Sequence, residues 1–98
     1  MTIEKKINGS ELEMILEGRL DTSTSPELEK AVNESVEGIT KLVFNFAGLE
    51  YISSAGLRVL LAAQKIMNKQ GEMIVKNVNE VINDVFEVTG FSDILTIE

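Results

Sequence analysis

The chain contains neither cysteine nor histidine. The first absence excludes disulfides, thiolate metal sites and thiol nucleophiles, and it fits a reducing compartment. The second removes the imidazole, so neither a serine–histidine relay nor an imidazole metal ligand can be built. Long apolar runs are missing too. None approaches the roughly 20 residues needed to span a bilayer, and the opening Met1-Thr2-Ile3-Glu4-Lys5-Lys6 lacks the apolar centre of a signal peptide. A soluble, cytoplasmic protein without a membrane span is expected. Positive charge is scarce, with 9 Lys and Arg against 16 Asp and Glu and a net charge of −7. Nucleic acids and anionic membranes are held largely through cation–phosphate attraction, so this balance disfavours both as partners. A protein partner remains open, and the acidity otherwise serves solubility.

What is present suits one globular domain over residues 1–98, with 44% hydrophobic residues and no linker, repeat or low-complexity segment. Ile3, Lys5 and Ile7 alternate with Thr2, Glu4 and Lys6, and Leu12, Met14 and Leu16 alternate with glutamates. Period-two alternation predicts two half-buried strands, and Asn8-Gly9 between them predicts a hairpin turn. Gly18 predicts a bulge or bend. Thr24 or Ser25 is expected to cap a helix with Pro26 in its first turn and an end near Gly38. Lys41–Phe46 is nearly continuous apolar chain, expected to be a central strand covered by helices on both sides. A second helix should follow Ser53-Ser54 and stop at Gly71. Met73-Ile74-Val75 reads as a strand, Val81 to Val88 as a third helix with Gly90 as its left-handed cap. Ile94 to Ile97 reads as a short strand or helical turn. The predicted fold class is α/β: a mixed sheet of four or five strands, an N-terminal hairpin followed by βαβαβα, covered by helices.

Tyr51-Ile52-Ser53-Ser54-Ala55-Gly56-Leu57 stands where the central strand turns into the second helix. Helix starts leave N–H groups unpaired and carry partial positive charge, which favours hydroxyl caps and anions. A serine there can be a plain cap, a nucleophile or a site that accepts phosphate. Catalysis is poorly supported. Lys65 and Lys69 lie too far along the helix to pair with a serine at its start, and Asp21 is the only carboxylate that a strand end would bring near. Gly48 to Gly56 does not match a phosphate-cradling nucleotide loop, and no metal or cofactor is expected. On the second helix, Val59, Leu60, Ala63, Ile66 and Met67 share one arc. Ser54, Leu57, Leu61 and Asn68 form a second stripe flanked by Arg58 and Lys65. Exposed apolar residues rimmed by polar ones suggest a partner surface, whereas leucines packed against a neighbouring helix would be plain core.

Gly18-Arg19-Leu20-Asp21 before a helix, Tyr51 to Leu57 after the central strand, and Val88-Thr89-Gly90-Phe91 resemble the STAS domain. More closely, the chain is similar to bacterial anti-sigma factor antagonists, over essentially its whole length. The resemblance implies a partner-switching protein that binds an anti-sigma factor, itself a serine kinase, and thereby frees a sigma factor. It implies phosphorylation at the serine two residues before the motif glycine, here Ser54, and reversal by a serine phosphatase. Asp21 matches an acidic residue near that serine. Ser53, Gly56, Leu57, Arg58 and Leu61 complete the implied partner surface. The chain departs from the family in having Ser53 where aspartate is usual, Ala55 where a hydroxyl residue is common and Asn45 in place of a frequent aspartate. Ser53 is therefore an alternative target. The competing reading is an accessory STAS subunit, docking on a transporter ATPase or a signalling assembly, in which the serines only cap the helix. Small-ligand binding around Asp21 and Ser54 ranks below both.

Overall fold

A computed structural model describes all 98 residues. Strands β1 (Thr2–Asn8) and β2 (Glu11–Leu20) open the chain, followed by helix α1 (Ser25–Ser35), strand β3 (Lys41–Ile52) and helix α2 (Ser54–Gln70). Strand β4 (Glu72–Lys76), helix α3 (Glu80–Thr89), a 3-10 turn (Phe91–Asp93) and strand β5 (Thr96–Ile97) complete it. The five strands lie in the order β1-β2-β3-β4-β5. β1 is antiparallel to β2, and every later pair is parallel, as helical crossovers require. The mixed α/β sheet thus takes the upper of the two expected strand counts, and the tail supplies both a helical turn and a strand.

Local differences from the sequence reading have simple causes. Asn8 pairs with Glu11, so the two turn residues are Gly9 and Ser10 rather than Asn8 and Gly9. Gly9 has φ +64°, and a positive angle at the first turn position suits a primed hairpin turn. α1 ends at Ser35, short of Gly38, because Val36 and Ile39 turn inward to the core from the connecting loop. Near Gly18 the β2–β3 register slips twice. Ile15 faces Asn45 but Glu17 faces Gly48, and Gly18 faces Leu49 but Arg19 faces Tyr51. The extra residues in β3 return Leu49 and Ile52 to the buried face after Phe46.

One core lies between the sheet and the helices. Leu12, Met14, Leu16, Leu42, Phe44, Phe46, Met73 and Val75 project from one face and cluster with Leu28, Val32, Leu60, Ala63, Met67, Ile82 and Phe86. All three helices therefore cover the same face, contrary to the expectation of helices on both sides of β3. Val43 and Ile74 point the other way and remain only 7% exposed, outside that cluster. Long charged side chains in the flanking rows account for this. Lys41 Nζ lies 3.9 Å from both Glu11 and Glu72, its neighbours across β2 and β4. Lys76 Nζ lies 3.2 Å from Glu13. Lys41 and Lys76 stand two residues from Val43 and Ile74 along β3 and β4, on the same face, where long charged side chains can cover apolar surface. Asn45 donates to the same Glu13 oxygen at 3.2 Å and accepts from Asn77 Nδ2 at 3.0 Å.

The hydrogen bond from Lys76, then that from Asn45, holds the Glu13 carboxyl below its ordinary pKa. A carboxylate depressed by folding adds stability that is complete above the ordinary glutamate range and is lost as pH falls through the folded pKa. On acidification through that window, the melting temperature of the wild type should fall more steeply than that of Glu13→Gln. Superimposable profiles of melting temperature against pH would rule out this network as a contributor.

Candidate functional site

The ends of β2 and β3 fix the site. Leu20 faces Ile52, and the Ser53 N–H donates to the Leu20 carbonyl at 2.9 Å. The two chains therefore leave the sheet side by side at the carboxyl ends of parallel strands, where α/β sheets present their ligand-facing loops. Beyond Leu20 the chain turns at Asp21 into α1, and beyond Ile52 it turns at Ser53 into α2. Gly56 lets the start of α2 sit down on both strands. A Cβ there would lie 2.7 Å from Leu20 Cγ and 2.9 Å from Ile52 Cγ1.

Asp21 organises its own turn. Its Oδ1 accepts from the Ser23 N–H at 3.0 Å, the Ser23 hydroxyl at 2.8 Å and the Thr24 N–H at 3.1 Å. Thr24 takes the N-cap position of α1, as one of the two expected residues, but its side chain caps no N–H of the helix. The Thr24 hydroxyl is spent on the Arg19 carbonyl at 2.8 Å and Ser25 lies inside the helix, its hydroxyl on the Asp21 carbonyl at 2.5 Å. The side-chain bond from Ser23 and the backbone bond from Thr24 lower the Asp21 pKa, so the carboxylate stays ionised. Arg19 completes the cluster, with Nε 3.8 Å from Asp21 Oδ2 and its guanidinium 4.5 Å from the centre of the Tyr51 ring. Neither Arg19 nor Tyr51 stood out in the sequence as a site residue. Only the slipped register places them opposite each other.

The two serines differ. Ser53 is the N-cap, half-buried, with backbone angles of −101° and 176°, and its hydroxyl accepts a long 3.5 Å bond from the Gly56 N–H. Ser54 is the first helical residue and is exposed, with its hydroxyl engaged by no other side chain or backbone group of the protein. The rest of the anticipated surface divides. Leu57 is core, 6% exposed, and Gly56 is buried beneath the first turn. α2 buries a wider arc than expected, because it packs against both the sheet and α1, and Gln64 is drawn inside with it. Leu61 is half-buried, while Arg58 and Lys65 are exposed. The outward stripe that starts at Ser54 therefore runs through Arg58, Leu61 and Lys65, positions three or four apart on one helix face. It is a basic strip on an acidic protein.

No ligand-sized pocket opens here, and no group of three or more acidic side chains is gathered to hold a metal. No helix is long and apolar enough to cross a membrane. What the strand ends and the start of α2 present is an open surface with one free hydroxyl.

The STAS domain model matches residues 2–98, and the chain belongs to that family. Within it, the chain is similar to the anti-sigma factor antagonists. BtrV of Bordetella bronchiseptica, named as a candidate anti-sigma factor antagonist, is 35% identical over 94 residues, covering 94% of this chain and 80% of BtrV. The anti-sigma-B factor antagonist of Staphylococcus aureus is 28% identical over 97 residues, covering 97% of this chain and 90% of that protein. Among solved structures, the Bacillus anti-sigma factor antagonist SpoIIAA shares the fold. Its unphosphorylated form gives a TM-score of 0.79 at 17% identity, covering 99% of this chain and 87% of that one. Its phosphorylated form gives 0.77, also at 17% identity, covering 99% and 91%.

The close approach at Gly56 yields a test with opposed effects. Alanine in a helix interior is favoured over glycine by about 1 kcal/mol, whereas forcing a methyl into a filled core costs about 1–3 kcal/mol. Leu20 is fully buried and the contacted atom is its branch carbon, so the clash should win. Gly56→Ala should lower the denaturant midpoint of unfolding. An unchanged or raised midpoint would show that α2 need not sit so low.

Proposed function

We propose that this protein is an anti-sigma factor antagonist regulated by phosphorylation. In the unmodified state it docks, through a surface centred on Ser54, on an anti-sigma factor that is also a serine kinase. Phosphorylation of Ser54 by that kinase releases it, and a serine phosphatase restores it. The observation that carries this reading is the placement of Ser54: an exposed, uncommitted hydroxyl on the first turn of a long helix, next to a serine already used as the cap. Ser53 and Arg58 adjoin it on the first turn of the helix, Leu61 lies further along the same face, and the Asp21 turn leaves the sheet alongside. Gly56 and Leu57 act from below, as packing that holds the helix start in place.

The same placement favours Ser54 over Ser53 as the modified residue. Esterifying Ser53 would sacrifice the cap, worth about 0.5–2 kcal/mol, and would force a half-buried oxygen to carry charge. Esterifying Ser54 disturbs no bond within the chain. A phosphate adds about −1.5 to −2 charge, and a helix N-terminus tolerates it through free N–H groups and the dipole. Domain stability is therefore preserved while the interface is lost. A neutral hydroxyl pressed into a partner needs little desolvation, whereas a dianion in the same contact must be stripped of water. Weakening a complex a thousandfold takes only about 4 kcal/mol, which the burial of an uncompensated charge supplies. Local electrostatics suffices, without a change of fold.

Ser54→Asp should abolish binding to the anti-sigma factor while shifting the melting temperature little, and Ser54→Ala should bind without being released by kinase and ATP. Mass spectrometry after kinase treatment should find phosphate on Ser54 in the wild type and in Ser53→Ala. If Ser54→Asp binds as tightly as wild type, the switch is refuted. An absence of phosphate at either serine would instead support an accessory STAS subunit.

A further inference from the structure

β1 is a free edge. Six of its seven residues are exposed, it pairs only with β2, and its outer row of backbone N–H and C=O groups has no strand beside it. Such edges are templates for pairing with another chain, and lysines along them are a common guard. Lys5 and Lys6 look like that guard. Their positions, however, depend on what lies opposite.

An antiparallel strand can pair with a second copy of itself about a two-fold axis, an isologous contact in which each residue meets its mirror position. Full overlap of Thr2–Asn8 places Thr2 opposite Asn8, Ile3 opposite Ile7, Glu4 opposite Lys6 and Lys5 opposite Lys5. Every pair in this register falls on a matching face. Ile3 and Ile7 stand on the helix-covered face with Leu16 and Leu12, and Glu4 and Lys6 on the open face with Ile15 and Glu13. The apolar pairs would cover Ile7, which is 67% exposed and the most exposed residue on that side of the hairpin's first strand among the large hydrophobics. The charged pairs set Glu4 against Lys6 twice. Shifting the overlap by two residues in one direction sets Glu4 against Glu4, and in the other sets Lys6 against Lys6. Full overlap is the register with charge complementarity, and only Lys5 on the axis faces its like.

We propose that β1 is a homodimerisation edge, and that two copies of this chain join through it into one continuous sheet with paired Ile3–Ile7 and Glu4–Lys6 contacts. The two-fold axis is normal to the sheet, so both helix layers lie on one side. The carboxyl ends of β2 and β3 then point in opposite directions. The dimer carries two Ser54 surfaces at its far ends, both clear of the shared edge. The single Lys5 pair keeps the association reversible.

Sedimentation equilibrium on the full chain tests this without any partner protein. The wild type should show a monomer–dimer equilibrium. Glu4→Lys should weaken it about tenfold or more, since both cross-strand pairs become repulsive. The double variant Glu4→Lys with Lys6→Glu should recover to within about threefold of wild type. Melting curves monitor folding, because Lys6→Glu sets a second carboxylate opposite Glu13 within the chain. Lys5→Thr is the independent arm: relieving the axial repulsion should tighten the dimer several-fold. A wild type and Lys5→Thr that both remain monomeric into the millimolar range would overturn the proposal. So would a Glu4→Lys dimer as tight as wild type. Because the readout is self-association, its failure leaves the Ser54 switch standing, and failure of the switch leaves the dimer standing.

Discussion

Everything at the candidate site rests on how closely α2 approaches the ends of two parallel strands. The Ser53 N–H reaches the Leu20 carbonyl, and Gly56 rests against Leu20 and Ile52 with no room for a methyl. This contact links three segments distant in sequence: the Asp21 turn, the Ser53 cap and the exposed Ser54. Were α2 raised by the thickness of a side chain, the carboxylate and the hydroxyl would belong to separate surfaces. A core contact thus sets the geometry of a surface function.

The sheet achieves its burial asymmetrically. One face carries the whole helical layer, and the other is lined by charged side chains beside Val43 and Ile74. The arrangement follows from the strand order, because right-handed crossovers that always step in one direction along the sheet lay every helix on the same face. It also makes the open face an electrostatic surface, with Lys41 shared between Glu11 and Glu72 and Lys76 held by Glu13. Exposed ion pairs contribute little to stability singly.

Much of this was legible in the sequence, and the misses are instructive. Alternation in Leu12–Leu16 and helical spacing in α1 to α3 read correctly, because a single buried face imposes one period on each element. The alternation in Ile3–Ile7 gave the strand but not a half-buried one, since β1 is an edge with six of seven residues exposed. Gly71 and Gly90 marked helix ends correctly. The apolar run Lys41–Phe46 suggested two covered faces, since a hydropathy pattern cannot tell a helix from a lysine stem as the covering group. Leu57 was assigned to the surface stripe because an ideal helical wheel does not register a second packing direction, toward α1. The pairing of Arg19 with Tyr51 depends on bulges in β3, and register slips leave no periodic signature. The Ser53-Ser54 pair, by contrast, stood out from local chemistry, since position relative to a helix start is a short-range property, and the STAS resemblance pointed to Ser54 of the two.

Tyr51 is the only tyrosine, and the chain has no tryptophan. Its ring lies under the Arg19 guanidinium, in the strand that leads directly to Ser53 and Ser54. Excited at wavelengths too long for the four phenylalanines to absorb, the molecule therefore emits from beside its proposed docking surface. Nature has installed a built-in fluorophore where an arriving macromolecule or a new anion would be felt first, and its signal is uncontaminated by any other indole or phenol.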